Sequence, residues 1–523
     1  MQKATICIII VLAAIILMPP SVRAQQGKDY GTTTTENLLE PEDFYQKNAI
    51  PLSLRQAIVQ TLNNNLNIRI SEFDMRIAEA EIQVQKAIYD LLFEANVTAS
   101  SNEIPQPVID NPLSQNVQSE KRYSAEGILS QLIPTGGTIG IRYNGARTET
   151  NSTFVDINPY YTQGASVFIN HPLLRNFGTF LTNAGIRIAK NSEQIQQEAF
   201  IQEIQNQISE VTRGYWDLVF AIENYKVQRL SLTQARDFMR ITNVSYETGV
   251  VPETDVLQAR ARVAVREENV IRAESAIKAA EDYLKTLMNI PRASKVWEAY
   301  YVPVNEPDIE EIPLDTNRYI EQAFANRPEY IQSLINLENV TIEEKVAENQ
   351  RLPQLNLFAS AGRNGLGESN SDAWDELHTY DYHNYEAGLQ FSFPLQNRRA
   401  RYKHKQAKLN LEKSHTMIKN LENQIILEIR NAVRSLETER KRIEATSVSV
   451  EAQKAMLDSE MQRYRVGMST SYNVLEFQQD YAEALSNNIG SRVEYKKAQI
   501  ALEKAKGTLL RAFNIIPEGV EPR

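Results

Sequence analysis

The chain is almost devoid of thiol: of 523 residues only Cys7 is a cysteine, and it lies inside an apolar run from Ala4 to Met18. The run follows Lys3 and precedes Val22-Arg23-Ala24, the pattern of an export signal cut after Ala24, so the mature chain is expected to begin near Gln25 without a cysteine. An uncleaved anchor is the other reading of the same run. The expected mature chain has no disulfide, no cysteine-bound metal and no thiol chemistry, and Cys7 is not placed to carry the lipid of a lipoprotein. No later stretch approaches the roughly 20 apolar residues of a membrane-spanning helix, so any membrane-embedded form must be built from strands. Clustered basic residues are missing too. With 56 Lys and Arg against 66 Asp and Glu, the net charge is −10, which argues against nucleic acid as a partner.

Catalytic signatures are equally scarce. There are five histidines; His378 and His383 share a loop, His404 and His415 a helix, and none forms His-Glu-x-x-His. The glycines of Gly362-Arg-Asn-Gly365-Leu-Gly367 lack the order of a dinucleotide loop, and no Gly-Lys-Ser/Thr phosphate loop occurs. No nucleophile-elbow serine or paired-carboxylate site stands out. No metal, no cofactor and no enzymatic activity are expected, and energy for any transport must come from a partner.

What the chain does have is a repeat. Tyr246 to Leu257 reads YETGVVPETDVL and Tyr464 to Leu475 reads YRVGMSTSYNVL, an offset of 464 − 246 = 218 residues. The register persists upstream: Val211, Tyr215, Leu218, Tyr225, Leu232 and Met239 map onto Ile429, Val433, Leu436, Ile443, Val450 and Leu457. Steps alternating between three and four average 3.5 residues, the spacing of a coiled-coil seam. Two helices of about 65 residues, each roughly 100 Å long, are therefore expected over 182–246 and 396–464. Gly249 and Gly467 suit helix ends. Return helices from Val256 to about Asn289 and from Val474 to about Ala512 complete two hairpins. Shorter helices are expected over 53–89 and 316–351.

A period of two follows elsewhere. Tyr385, Ala387, Leu389, Phe391 and Phe393 share one face of a strand, as do Leu355, Leu357, Ala359 and Ala361; Phe93, Ala95, Val97 and Ala99; and Ala165, Val167 and Ile169. A one-sided strand can cover a soluble core; in an exported chain without a hydrophobic helix it fits a lipid-facing barrel with a wet interior. Trp374, Tyr380, Tyr382 and Tyr385 suit its interfacial girdle. Four strands cannot close a barrel, so the chain must oligomerise, and three copies give about twelve strands. The segment QLIPTGGTIGIRYN, 131–144, carries a turn signal between two alternating runs; it is either a hairpin outside the membrane or a source of extra strands.

With its order of helix, strand pair, long helix, tip and return helix given twice, the chain resembles the TolC family of bacterial outer membrane efflux proteins over nearly the whole mature length. The residues that carry the resemblance are Tyr246-x-x-Gly249 through Asp255-Val256-Leu257, Tyr464-x-x-Gly467 through Asn473-Val474-Leu475, the junctions His171-Pro172-Leu173-Leu174-Arg175-Asn176-Phe177-Gly178 and Phe393-Pro394-Leu395, and Leu352-Pro353-Gln354-Leu355. The resemblance implies an α+β membrane protein. Long antiparallel helical hairpins form a periplasmic α-barrel, continuous with a transmembrane β-barrel closed by trimerisation. The segments are a signal peptide over 1–24 and structural repeats over 25–302 and 303–523.

It implies as partners two further copies in a homotrimer, outer membrane lipid, a periplasmic adaptor (membrane fusion protein) and, through the adaptor, an inner membrane transporter. The function implied is an exit duct for efflux or type I secretion. Tyr246, Gly249, Tyr464 and Gly467 are then adaptor-contact residues at the hairpin tips. Asp255 and Glu476 occupy matching positions in the lumen gate, and Asn473 stands where an acidic residue can occur. Pro172, Pro353 and Pro394 mark strand–helix junctions, where proline breaks the strand ladder. A soluble periplasmic coiled-coil adaptor or scaffold is the alternative reading.

Overall fold

The structure, a computed structural model, describes residues 49–105, 117–291, 295–309, 312–379 and 381–516. The expected export signal with Cys7, and Tyr380 of the expected aromatic girdle, lie outside these residues. In order the elements are β1 (Ala49–Leu52), α1 (Leu54–Asn64), α2 (Leu66–Lys86), β2 (Leu92–Pro105), β3 (Val117–Leu132), β4 (Thr138–Thr150), β5 (Tyr160–Pro172), α3 (Thr179–Thr182), α4 (Ala184–Glu247), α5 (Glu253–Leu287), β6 (Tyr300–Pro303), α6 (Thr316–Asn326), α7 (Pro328–Asn349), β7 (Gln354–Gly367), α8 (Asn370–His378), β8 (His383–Ser392), α9 (Arg398–Arg465), α10 (Ser471–Ala505) and α11 (Leu509–Ala512). They fall into two compact units: Met1–Phe73 with Gln197–Ile331 and Asn420–Arg523, and Asp74–Gln196 with Gln332–Lys419. Among the described residues no helix is long and apolar enough to cross a membrane.

The first unit is helical, and its core is the seam read from the sequence. Ile208, Val211, Tyr215, Leu218, Ile222 and Tyr225 of α4 are buried, as are Ile429, Val433, Leu436, Ile443 and Leu457 of α9; Leu232, Met239 and Val450 are half-buried. The long helices run 64 and 68 residues, within two residues of their expected ends.

Three shorter helices break where continuity was expected. Pro328 drives the preceding Arg327 out of helical geometry (ψ 121°), separating α6 from α7. Asn65 takes ψ 130° and its side chain accepts from the amides of Asn67 and Ile68, ending α1 and capping α2. Gly507, at φ +71°, ends α10 before α11.

An unanticipated parallel pair, β1 with β6, is tied down by Tyr215, whose hydroxyl donates to the Leu52 carbonyl at 3.1 Å. It is also tied by a buried ion pair, Lys285 to Glu281 at 3.3 Å. Glu281 accepts from the Tyr301 amide, and Lys285 donates to the Trp297 and Ala299 carbonyls, so neither charge is left unpaired.

The second unit holds a six-stranded antiparallel sheet in the order β2-β3-β4-β5-β7-β8. This corrects the expectation of four strands per chain: residues 131–144 form the turn and flanks of a β3–β4 hairpin bonded into the same sheet. Ile133 to Gly137 closes the turn, with Gly136 at φ +95°. One end of the sheet joins the helices; the opposite end carries the β2–β3, β4–β5 and β7–β8 connections. The last of these, where His378 and His383 were expected to share a loop, contains α8, started by a Ser369–Asp372 capping box. Trp374 lies on α8 and meets Tyr143 edge-on at 5.8 Å. Tyr382 and Tyr385 are exposed.

Candidate functional site: the hairpin tips and the strand–helix junctions

Both tips belong to the first unit and share one backbone solution. Gly249 (φ +75°) and Gly467 (φ +78°) take the left-handed conformation. The Gly249 amide donates to Tyr246 and the next amide to Ser245, and the Gly467 amide donates to Tyr464 and the next to Arg463. The paired bonds satisfy carbonyls orphaned at the helix end. A Cβ at either glycine meets nothing within 4 Å, so the constraint on these positions is conformational and not steric.

The returning helices start differently. Thr470 caps α10, its hydroxyl accepting from the Asn473 amide. Pro252 caps α5 without a side-chain bond, and Glu253 and Asp255 place negative charge in the first turn. Because α5 starts at 253 and α10 at 471, again 218 residues apart, the counterpart of Asp255 is Asn473, and that of Glu476 is Gln258. Asp255 and Glu476 are therefore not equivalents.

The structure brings several of these residues together across the two hairpins. Ser471 Oγ donates to Asp255 Oδ2 at 2.6 Å, and the Tyr464 hydroxyl lies 3.4 Å from Ser471 Oγ. Phe238, Ala259, Val474 and Leu475 form a small buried core beneath, with Tyr464 packed on it and its ring 5.1 Å from that of Phe238. Asn473 Nδ2 donates to Glu460 Oε1 at 3.4 Å. Glu476 stays outside this set: it is exposed, one turn further along α10. Tyr246 is also exposed, as are Val250 at the first tip and Val466, Met468 and Tyr472 at the second.

Sequence reasoning missed Glu460. Buried on α9, it accepts from Ser469 Oγ, Asn473 Nδ2 and Arg463 Nη1. The Ser469 hydrogen bond, then Arg463 and Asn473, hold its carboxyl below the usual carboxylate range against the opposing effect of burial. Its signal in the sequence was faint: a Glu at a seam position, where α4 has Thr242.

The three prolines stand where strands hand over to other elements. Pro172 ends β5, Pro353 precedes β7 and Pro394 follows β8. Around them, the Leu173 amide donates to the Leu355 carbonyl at 2.7 Å and the Arg175 amide to the Pro353 carbonyl at 3.3 Å. Asn176, Asn397 and Gly178 take positive φ as the chain turns toward helix. Among the described residues no group of three or more His, Cys, Asp or Glu is arranged to hold a metal.

The chain belongs to the outer membrane efflux protein family: the family model matches residues 57–289 and 319–508, more than half of its length. It is 21% identical over 371 residues to the alkaline protease secretion protein AprF of Pseudomonas aeruginosa, covering 69% of this chain and 73% of AprF. Among solved structures it is similar to the outer-membrane channel OprN (TM-score 0.66, 17% identity, 87% of this chain and 90% of that one). It is likewise similar to the Campylobacter jejuni outer membrane channel CmeC (TM-score 0.63, 18% identity, 87% and 86%). At these identities the solved structures speak for the fold.

Proposed function

We propose that three copies of this chain form an outer membrane exit duct, which conducts substrate passively from a periplasmic adaptor and an inner membrane pump to the exterior. AprF is a secretion protein and OprN and CmeC are outer membrane channels, so the reading covers both type I secretion and efflux. The observation that carries it is the sheet: one face bears an exposed apolar band that includes Phe93, Leu129, Ile141, Val167 and Tyr385, the other is mostly polar, and both edges are open. That surface is unstable in water and stable as a closed wall in lipid. A soluble adaptor has no use for it.

In this reading residues 25–302 and 303–523 are two repeats, each supplying strands to a β-barrel and a hairpin to an α-barrel. The left-handed tips at Gly249 and Gly467, with Tyr246 and Tyr464, dock the adaptor. The exposed Val250, Val466 and Met468 give that contact apolar area. Asp255, Asn473 and Glu476 line the gate, and Pro172, Pro353 and Pro394 set the passage from barrel to tunnel. No step of this function is catalytic.

The test is fractionation of the exporting cell, followed by mass determination of the detergent-extracted protein. An outer membrane species of three chain masses is expected. A soluble periplasmic monomer overturns the duct.

A further inference from the structure

We infer that the wall of this duct is eighteen-stranded, with the β3–β4 hairpin inside the membrane and β8 of each copy joined edge to edge to β2 of the next. The inference rests on the trimeric duct proposed above and concerns the second unit alone.

Pairing comes first. Strand β3 is in register with β2 from Leu92↔Ser130 to Pro105↔Val117, and β4 with β5 from Thr138↔Asn170 to Thr148↔Tyr160. Among the described residues the hairpin thus links β2 to β5 in the sheet order. A four-stranded contribution would have to break both ladders.

Pattern agrees. Following the registers, one row across the whole sheet reads Phe93, Leu129, Ile141, Val167, Ala361 and Tyr385. The row is apolar on the two hairpin strands as on the other four. The opposite face is polar three residues further along each strand: Asn96, Glu126, Asn144, Gly164 and Asn364 form one of its rows, and Glu126 pairs with Arg142 at 3.1 Å. At 16 and 13 residues, β3 and β4 exceed the roughly 9–11 needed to cross a bilayer.

The edges name their occupant. Strand β2 is exposed along all its 14 residues, and β8 along all but one of its 10. Neither carries a lysine or an internal proline to blunt it, so each is a template for another strand. An even number of alternating strands leaves β2 and β8 antiparallel, so a second copy extends the sheet with the same pairing. An open edge cannot persist in lipid, and three copies of six strands close at eighteen.

The consequence is width. Barrel diameter grows roughly linearly with strand number, so this wall is about one and a half times as wide as a twelve-stranded one. The added hairpin brings no helix with it. Its turn is pinned instead to the β5–α3 junction, where the Gly178 amide donates to the Thr135 carbonyl at 3.0 Å and Thr135 Oγ1 lies 2.8 Å from His171 Nε2.

Two measurements on the full chain decide the matter. In a Cys7→Ser background, Leu129→Cys and Ile141→Cys are probed separately in intact outer membranes with a water-soluble maleimide, and with a bimane label quenched by lipid-bound nitroxide. Strands are then counted in a cryo-electron microscopy map of the detergent-extracted particle. Maleimide protection, lipid quenching and eighteen strands are expected. A trimer with twelve strands, or with both cysteines open to maleimide, overturns this inference and leaves the duct standing. A soluble monomer overturns the duct itself.

Discussion

Thr242 and Glu460 occupy equivalent turns of the two long helices, 460 − 242 = 218 residues apart, and both are buried, yet their neighbourhoods differ in kind. Thr242 satisfies its hydroxyl on its own helix, donating to the Phe238 carbonyl at 2.9 Å. Glu460 draws three partners from its own tip. One turn back the contrast reverses: Phe238 is 0% exposed, whereas its counterpart Met456 is 49% exposed. The two hairpins share a backbone frame and one small apolar core, to which the first gives Phe238 and the second Val474 and Leu475, but only the second adds a carboxylate network at its tip.

The largest expected effect breaks this comparison at Phe238. Phe238→Ala should cost about 3–5 kcal/mol, the range for emptying a packed aromatic site, while Met456→Ala should stay within about 0.5 kcal/mol, as for surface changes. Hydrogen exchange along α4 and α9 in the extracted protein reads both. Equal losses would show that the hairpins are packed alike after all.

The shared frame is sharpened by the glycines. Gly249→Ala and Gly467→Ala force an L side chain into left-handed geometry with open space around it, so each should cost about 1–2 kcal/mol, and the two costs should match. Circular dichroism melts of the single variants measure this. A loss at only one tip would mean that the frame is not shared.

These positions show what the sequence could convey. The seam, the tips and the strand alternation were legible because each is a local or periodic pattern: burial of Val211, Tyr215, Ile429 and Val433 follows from spacing alone. The strand count was less legible. In β3 the apolar face is diluted by Gly127 and flanked by Lys121 and Gln131, so the alternation shows only once the neighbouring strands fix the register. Glu460 was missed because its partners are chosen by the turn geometry around Gly467. Asp255 was paired with the wrong acid because a carboxylate was matched to a carboxylate when helix starts are what fix equivalence.

A smaller effect tests the bond between the tips. Ser471 Oγ donates to Asp255, so Ser471→Ala and Asp255→Asn should each weaken the contact. Their double-mutant cycle should return a coupling of about 1 kcal/mol, typical of a part-exposed bond to a charged group. Read through local exchange at residues 253–259, zero coupling would make the contact incidental.

The smallest effect is confined to one tip and depends on pH. Glu460 has its carboxyl held low in the folded state. Its stabilisation is therefore fully present above the ordinary carboxylate value, about 4.3, and is lost as pH falls through the lower folded value, where the protonated acid gives up Arg463. Thr242, at the equivalent place, cannot titrate. In a Cys7→Ser background a spin label at Met468→Cys should gain mobility on acidification below about pH 4, while one at Val250→Cys should not. Glu460→Gln should leave the Met468 label equally mobile at all these pH values. Parallel loosening of both labels would place the acid-sensitive group elsewhere, and the chemical difference between the tips would then have no bearing on how they open.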